Sequence, residues 1–101
     1  MRIWIVEDES DLCDYYFEIV KSLTRSVVMC STVKMVTPRQ NDIVILDLGG
    51  TGSEDLVSNG AHVLRVTGDP EKEADLYKPF TPEALRECIQ TYIDASEEEE
   101  D

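Results

Sequence analysis

The stretch from Asp42 to Gly50, D-I-V-I-L-D-L-G-G, restricts the fold more than any other part of the chain. Ile43 to Leu46 are apolar on both alternating faces and mostly β-branched, which suits a strand covered on both sides. The run leads into an acid, Asp47, and then into two glycines that suit a tight turn. Asp47 therefore belongs at the carboxyl end of a central strand, where open α/β sheets place their ligands. A carboxylate in that position is costly as a packing element and well placed for chemistry.

The rest of the chain alternates around this strand. Arg2 to Val6 forms a first buried strand, followed at once by Glu7, Asp8 and Glu9. Leu12, Tyr16, Ile19, Val20 and Leu23 recur at helical spacing, so Ser10 to Thr24 reads as an amphipathic helix with Asp11 in its first turn. Ser26 to Ser31 is a second strand. Thr32 to Gln40 holds a short helix at most, because Pro38 disfavours helical geometry at Thr37. After the third strand, Ser53 caps a helix of two turns or fewer that Gly60 closes. Ala61 to Val66 is a fourth strand ending at Thr67, and Asp75 to Tyr77 a brief fifth one ending at Lys78 and Pro79. Thr81 and Pro82 then open a last helix with Leu85, Cys88, Ile89, Tyr92 and Ile93 on its apolar face. Residues 1–96 make one domain, and the acidic run Glu97 to Asp101 is expected to be a disordered tail.

Charge and composition narrow the function. Nine basic residues against 22 acidic ones give a net charge of −13, which argues against direct binding to nucleic acid or to anionic membranes. No apolar run approaches the roughly 18 residues of a membrane span, and nothing at the start reads as a signal peptide. The three cysteines, Cys13, Cys30 and Cys88, lack metal-ligand spacing. The natural reading is a reduced, cytoplasmic chain.

Strands alternating with helices mean βαβ units and a parallel sheet. All the strand ends then lie along one edge, which gathers Glu7, Asp8, Asp47, Thr67 and Lys78. Like charges about 4 Å apart repel by about 4 kcal/mol at an effective dielectric of about 20. A bound Mg²⁺ together with Lys78 offsets three carboxylates, and oxygen-only ligands suit Mg²⁺. Such a site handles phosphate: a metal and an ammonium hold the equatorial oxygens, a threonine hydroxyl donates to one, and a carboxylate lies in line with phosphorus.

The pieces I-W-I-V-E-D, V-I-L-D-L, V-L-R-V-T-G and L-Y-K-P-F, in that order and at those strand ends, resemble the receiver domains of two-component response regulators, the single-domain chemotaxis type among them. The resemblance spans roughly residues 2 to 95. It implies an α/β, flavodoxin-like, doubly wound five-stranded parallel sheet in the order 2-1-3-4-5, the order the family is known for. It further implies that Asp47 is the phosphoacceptor for a sensor histidine kinase or phosphotransfer protein in a phosphorelay. By the same resemblance Asp8 binds Mg²⁺ directly, Glu7 does so mainly through water, and the carbonyl of Gly49 is a further ligand beside Asp47. Thr67 contacts the phosphoryl group and reorients, Lys78 pairs with Asp47 or the phosphoryl oxygens, and the Lys78–Pro79 bond is usually cis. Such a domain is a switch for a downstream protein target and no enzyme beyond its own phosphorylation and dephosphorylation.

The departures carry their own expectations. Ten residues separate Thr67 from Lys78, and some of them must form the fifth strand. A parallel crossover usually takes a dozen or more residues including a helix. Gly68 to Ala74 spans at most about 25 Å extended, so the family's fourth helix is predicted to be missing or cut to one turn. That helix belongs to the family's usual output surface, and a thinned sheet face points to cover by a homodimer or a docked partner. Asp75 stands where the family carries its aromatic switch residue, with Tyr77 nearby, and G-G-T-G replaces the usual hydrophobic–proline pattern after the acceptor.

Two other functions fit parts of the same pattern. A degenerate receiver would serve as an unphosphorylated interaction module, which the missing helix favours and the intact acidic trio, Thr67 and Lys78 oppose. A haloacid-dehalogenase-like phosphatase also carries an aspartate after a buried strand, but that family places a second aspartate where this chain has Gly49, and its acidic metal pair late in the chain. Taken singly, Asp47 would serve as a turn or cap acid, Thr67 as a turn residue and Lys78 as a solvated one. His62 lies about 17 Å from Thr67 by strand rise and is not expected to be catalytic. Tyr15, Tyr16, Tyr92 and Trp4 read as core, and Cys13 and Cys88 as small apolar residues.

Overall fold

The fold follows from which faces each element must bury. The computed structural model describes residues 1–47, 56 and 59–99. Five strands form one parallel sheet: β1 (Ile3–Val6), β2 (Val27–Cys30), β3 (Ile43–Asp47), β4 (His62–Thr67) and β5 (Leu76–Tyr77). Their order is β2-β1-β3-β4-β5, as the resemblance implies. Two α-helices accompany them, α1 (Ser10–Val20) and α2 (Pro82–Glu99), with a 3₁₀ turn at Val33–Met35.

β1 and β3 sit side by side at the centre and are buried at every position. Ile3, Ile5, Ile43, Ile45, Leu64 and Val66 point to one face, where Tyr16, Ile19 and Val20 of α1 and Leu85 and Ile89 of α2 cover them. Trp4, Val6, Val44 and Leu46 point to the other, against Val33, Val36 and the flanking Leu56. Both described α-helices thus pack on the same face, and the second face is closed in part by the 3₁₀ turn.

Both helix ends differ from the sequence reading. α1 stops at Val20, four residues before the predicted Thr24, because the carbonyl of Ile19 is claimed by the Ser22 hydroxyl at 3.4 Å and by Arg86 Nε of α2 at 3.3 Å. The Arg86 bond also ties the two helices together. At the other end of the chain, α2 runs to Glu99, so residues 97–99 of the acidic run continue the helix; alanine and glutamate are strong helix formers. Residues 100–101 lie outside the described residues, as do Ser53 and most of the short helix predicted to follow it. Gly60 is described, and its φ of 87° suits the chain reversal into β4.

Between β4 and β5 there is no helix. Gly68 to Asp75 is a compact loop held by its own polar groups. The Asp69 carboxylate accepts the amide of Glu71 at 2.9 Å, and its carbonyl accepts that of Lys72 at 3.2 Å. The Tyr77 hydroxyl donates to the Lys72 carbonyl at 2.8 Å and accepts the amide of Ala74 at 3.2 Å. Asp75 exchanges two bonds with Arg65: its carboxylate accepts the Arg65 amide at 2.8 Å, and its own amide donates to the Arg65 carbonyl at 2.9 Å. That pairing starts the β4–β5 ladder one step before its first register pair, Val66 with Leu76.

Candidate functional site

The site forms where the parallel register brings strand tips level. Val6 pairs with Leu46 and Asp47 with Val66, so the residues ending β1, β3 and β4 lie along one edge. Glu7 continues the β1–β2 ladder through its amide, which donates to the Cys30 carbonyl at 3.0 Å. This places the Glu7 side chain beside Asp47, the last residue of β3. Both acids are buried, Asp47 to 6% exposure and Glu7 to 9%.

Asp47 is held by groups from two other segments. Lys78 Nζ pairs with its Oδ2, and the Tyr16 hydroxyl donates to the same oxygen at 3.2 Å. Lys78 is carried to this point by its amide, which donates to the Thr67 carbonyl at 2.8 Å, just beyond the short β5. The bond from Lys78 to Pro79 is cis. Thr67 is buried at the tip of β4, and its hydroxyl accepts the Asp69 amide at 3.1 Å.

Electrostatics at the edge are out of balance. Burial pushes the Glu7 carboxyl up to about 7, helped by its hydrogen bonds with the carboxyls of Asp47 and Asp8; the Glu9 amide, 3.1 Å from Oε1, acts the other way. Burial and the adjacent Asp47 charge likewise push the Tyr16 phenol up, so it stays a donor. Asp8 is exposed at the mouth of the site. Beside Glu7 and Asp8 lies an open cavity of about 330 Å³, also lined by Ser10, Asp14 and Met29.

Of the residues singled out in the sequence, Asp47 therefore meets both Glu7 and Lys78, Asp8 and Thr67 flank them, and Gly49 lies outside the described residues. No three His, Cys, Asp or Glu side chains among the described residues are gathered as a ready-made metal site. The donor set nevertheless fits a hard divalent cation: carboxylate oxygens only, negative charge that Lys78 alone does not balance, and open space beside Glu7 and Asp8. His62 stacks on Tyr92 with ring centroids 5.0 Å apart, and Cys13, Cys30 and Cys88 are free thiols.

Sequence reasoning missed Tyr16. Helical spacing put it on the buried face of α1, which is correct, but did not show where its hydroxyl goes. The signal was available in principle: a fully buried phenol needs a polar partner.

No protein-family profile matches the sequence, and no curated protein is similar to it in sequence. Solved structures do match in shape. The response regulator StyR gives a TM-score of 0.76 at 18% identity over 98% of this chain, which spans 62% of that one. A signal receiver domain from Vibrio parahaemolyticus gives 0.73 at 20% identity, covering 98% of this chain and 94% of that one. A response regulator from Colwellia psychrerythraea gives 0.69 at 17% identity, covering 89% and 94%.

The chain has the receiver fold. Against the expected form of that fold, it lacks a helix between β4 and β5, where a self-bonded loop takes the place of a layer. In this receiver fold the polar edge is the one that bears Glu7, Asp47, Thr67 and Lys78. Among the described residues no helix is long and apolar enough to cross a membrane.

Proposed function

We propose that this chain is a phosphoacceptor receiver of a two-component phosphorelay, a signalling switch and no enzyme toward other substrates. One observation carries the reading: Asp47, buried at the tip of a central strand, is paired with Lys78, delivered from the end of β5. A buried carboxylate held by an ammonium that is itself partly exposed is a nucleophile with its charge compensated and a route open to a partner.

In this reading an Asp47 oxygen attacks the phosphorus of a phosphohistidine on a sensor kinase or phosphotransfer protein. An O–P bond forms, the P–N bond breaks, and the electron pair stays on the imidazole. Lys78 neutralises phosphoryl oxygens, and the Thr67 hydroxyl turns from accepting the Asp69 amide to donating to one of them. That exchange pulls on the loop from Gly68 to Asp75 and gives a downstream partner a changed surface to read. Glu7, Asp8, Asp47 and the carbonyl of Gly49 would hold Mg²⁺, which supplies charge neutralisation for the transferring group.

The test is intact mass after incubation with Mg²⁺ and a small phosphodonor. A gain of about 80 Da, the mass of an added PO₃H, that is absent from Asp47→Asn supports the reading. No gain in the wild type, with retained partner binding, would instead make the chain an unphosphorylated interaction module, the reading the absent helix favours. Steady phosphate release from small esters would point to a phosphatase.

A further inference from the structure

We infer that Tyr16 is a positioning residue that acts as a brake, biasing Asp47 toward its unphosphorylated form through the hydrogen bond to Oδ2. This rests on the phosphoacceptor reading and adds to it a determinant of how long the phosphoryl group lasts.

Three observations carry the inference. Tyr16 is 1% exposed, so no water competes for its hydroxyl. Its O–H reaches Asp47 Oδ2 at 3.2 Å, from a helix 31 residues earlier in the chain. Its ring is stacked on Phe80, centroids 6.2 Å apart and planes 23° from parallel, which fixes the phenol against the segment that follows Lys78. The donor is thus held from two sides and aimed at the reacting carboxyl.

The chemistry sets the direction of the effect. A hydrogen bond to a carboxylate is stronger than one to the oxygens of an acyl phosphate, whose negative charge has moved onto the phosphoryl group. When Asp47 attacks phosphorus, the Tyr16 bond is weakened, whichever oxygen takes the phosphorus. When water attacks the acyl phosphate, an O–P bond forms to water and the Asp47 O–P bond breaks. Its electron pair returns to the carboxylate, one of the water's protons stays on the released inorganic phosphate and the other passes to solvent, and the Tyr16 bond is regained. Tyr16 therefore slows phosphorylation and speeds hydrolysis, because it favours the carboxylate in both steps.

Tyr16→Phe keeps the ring and its stacking and removes only the donor; Tyr16→Leu removes both. Each is phosphorylated with Mg²⁺ and acetyl phosphate, and the gain and decay of the added mass are followed beside wild type and Asp47→Asn. The expected result is faster gain and slower decay in Tyr16→Phe, each by about tenfold, the worth of one hydrogen bond to a charged group. A merely loosened fold moves the rates the other way, with slower gain and faster water attack. Rates in Tyr16→Phe equal to wild type, or both shifted in that second sense, overturn the brake while leaving the phosphoacceptor intact. A change in Tyr16→Leu alone assigns the role to packing and also overturns it. Failure of wild type to gain mass at Asp47 overturns the underlying reading and the brake with it.

Discussion

The Glu7 carboxyl lies beside that of Asp47 across the tips of the neighbouring strands β1 and β3. Two adjacent buried carboxyls repel when both are charged, which favours a proton on one of them. With both ionised, the pair carries one negative charge more than Lys78 offsets, and the excess shows in its response to pH.

The Glu7 carboxyl stands at about 7 in the folded chain against an ordinary 4.5. Between those values the native state holds a proton that the unfolded chain has released. Stability from this group is fully present below 4.5 and is lost as pH rises through about 7, by at most about 3 kcal/mol. The urea midpoint of metal-stripped protein is expected to fall over this window, and Glu7→Gln to flatten the fall. Added Mg²⁺ should stabilise more at about pH 8 than at about pH 5, since a cation needs the deprotonated ligand. An identical pH profile in Glu7→Gln would count against the assignment.

Asp42 does the opposite at the far end of the same strand. Its buried carboxylate accepts the Arg2 amide at 2.9 Å, the Trp4 indole N–H at 3.1 Å and the Arg39 amide at 3.0 Å. Burial pushes it up, but these donors outweigh burial and hold it below its ordinary 3.8. Its stabilisation is present above 3.8 and lost as pH falls through the lower folded value. Asp42→Ala leaves three donors without their acceptor and should cost about 2–3 kcal/mol at neutral pH. Chemical denaturation at neutral and at acid pH checks both claims, the penalty shrinking in acid.

The strands were legible because each is a short apolar run closed by a polar residue, and that pattern also put Glu7, Asp47, Thr67 and Lys78 on one edge. The absent helix was legible from reach alone, since ten residues cannot cross back, form β5 and also coil. What stayed hidden were side chains whose partners come from elsewhere in the sequence. Tyr16 and Asp47 are 31 positions apart, and Trp4 and Asp42 are 38. Periodicity assigns a residue to a face and is silent about which polar atom it meets there. The early end of α1 was hidden for the same reason, because Arg86 reaches Ile19 from α2.

Local signals are strongest at the start of α2. The Thr81 hydroxyl accepts the Ala84 amide at 3.1 Å, a helix cap with Pro82 in the first helical position. Thr81→Ala is expected to cost about 1 kcal/mol, and Thr81→Ser far less. Thermal unfolding of the two variants separates the cap from the methyl group, and equal loss in both would refute it.

Asp75 carries the most for its size. β5 has only two register pairs, so the exchange of two bonds between Asp75 and Arg65 anchors one end of the strand that delivers Lys78, as the Lys78–Thr67 bond anchors the other. Because these groups are exposed, Asp75→Ala should lower global stability by under about 1 kcal/mol. Its local effect should be larger: faster hydrogen exchange at the amides of Arg65, Asp75 and Lys78, reporting opening of β5. A strand that opens carries the Lys78 ammonium away from Asp47, so uptake of a phosphoryl group from a small donor should slow in proportion to the opened fraction. Asp75→Asn, which keeps an acceptor for the Arg65 amide, should recover most of the exchange protection. If Asp75→Ala protects these amides as well as wild type does, the Asp75 carboxylate is not what holds Lys78 in place.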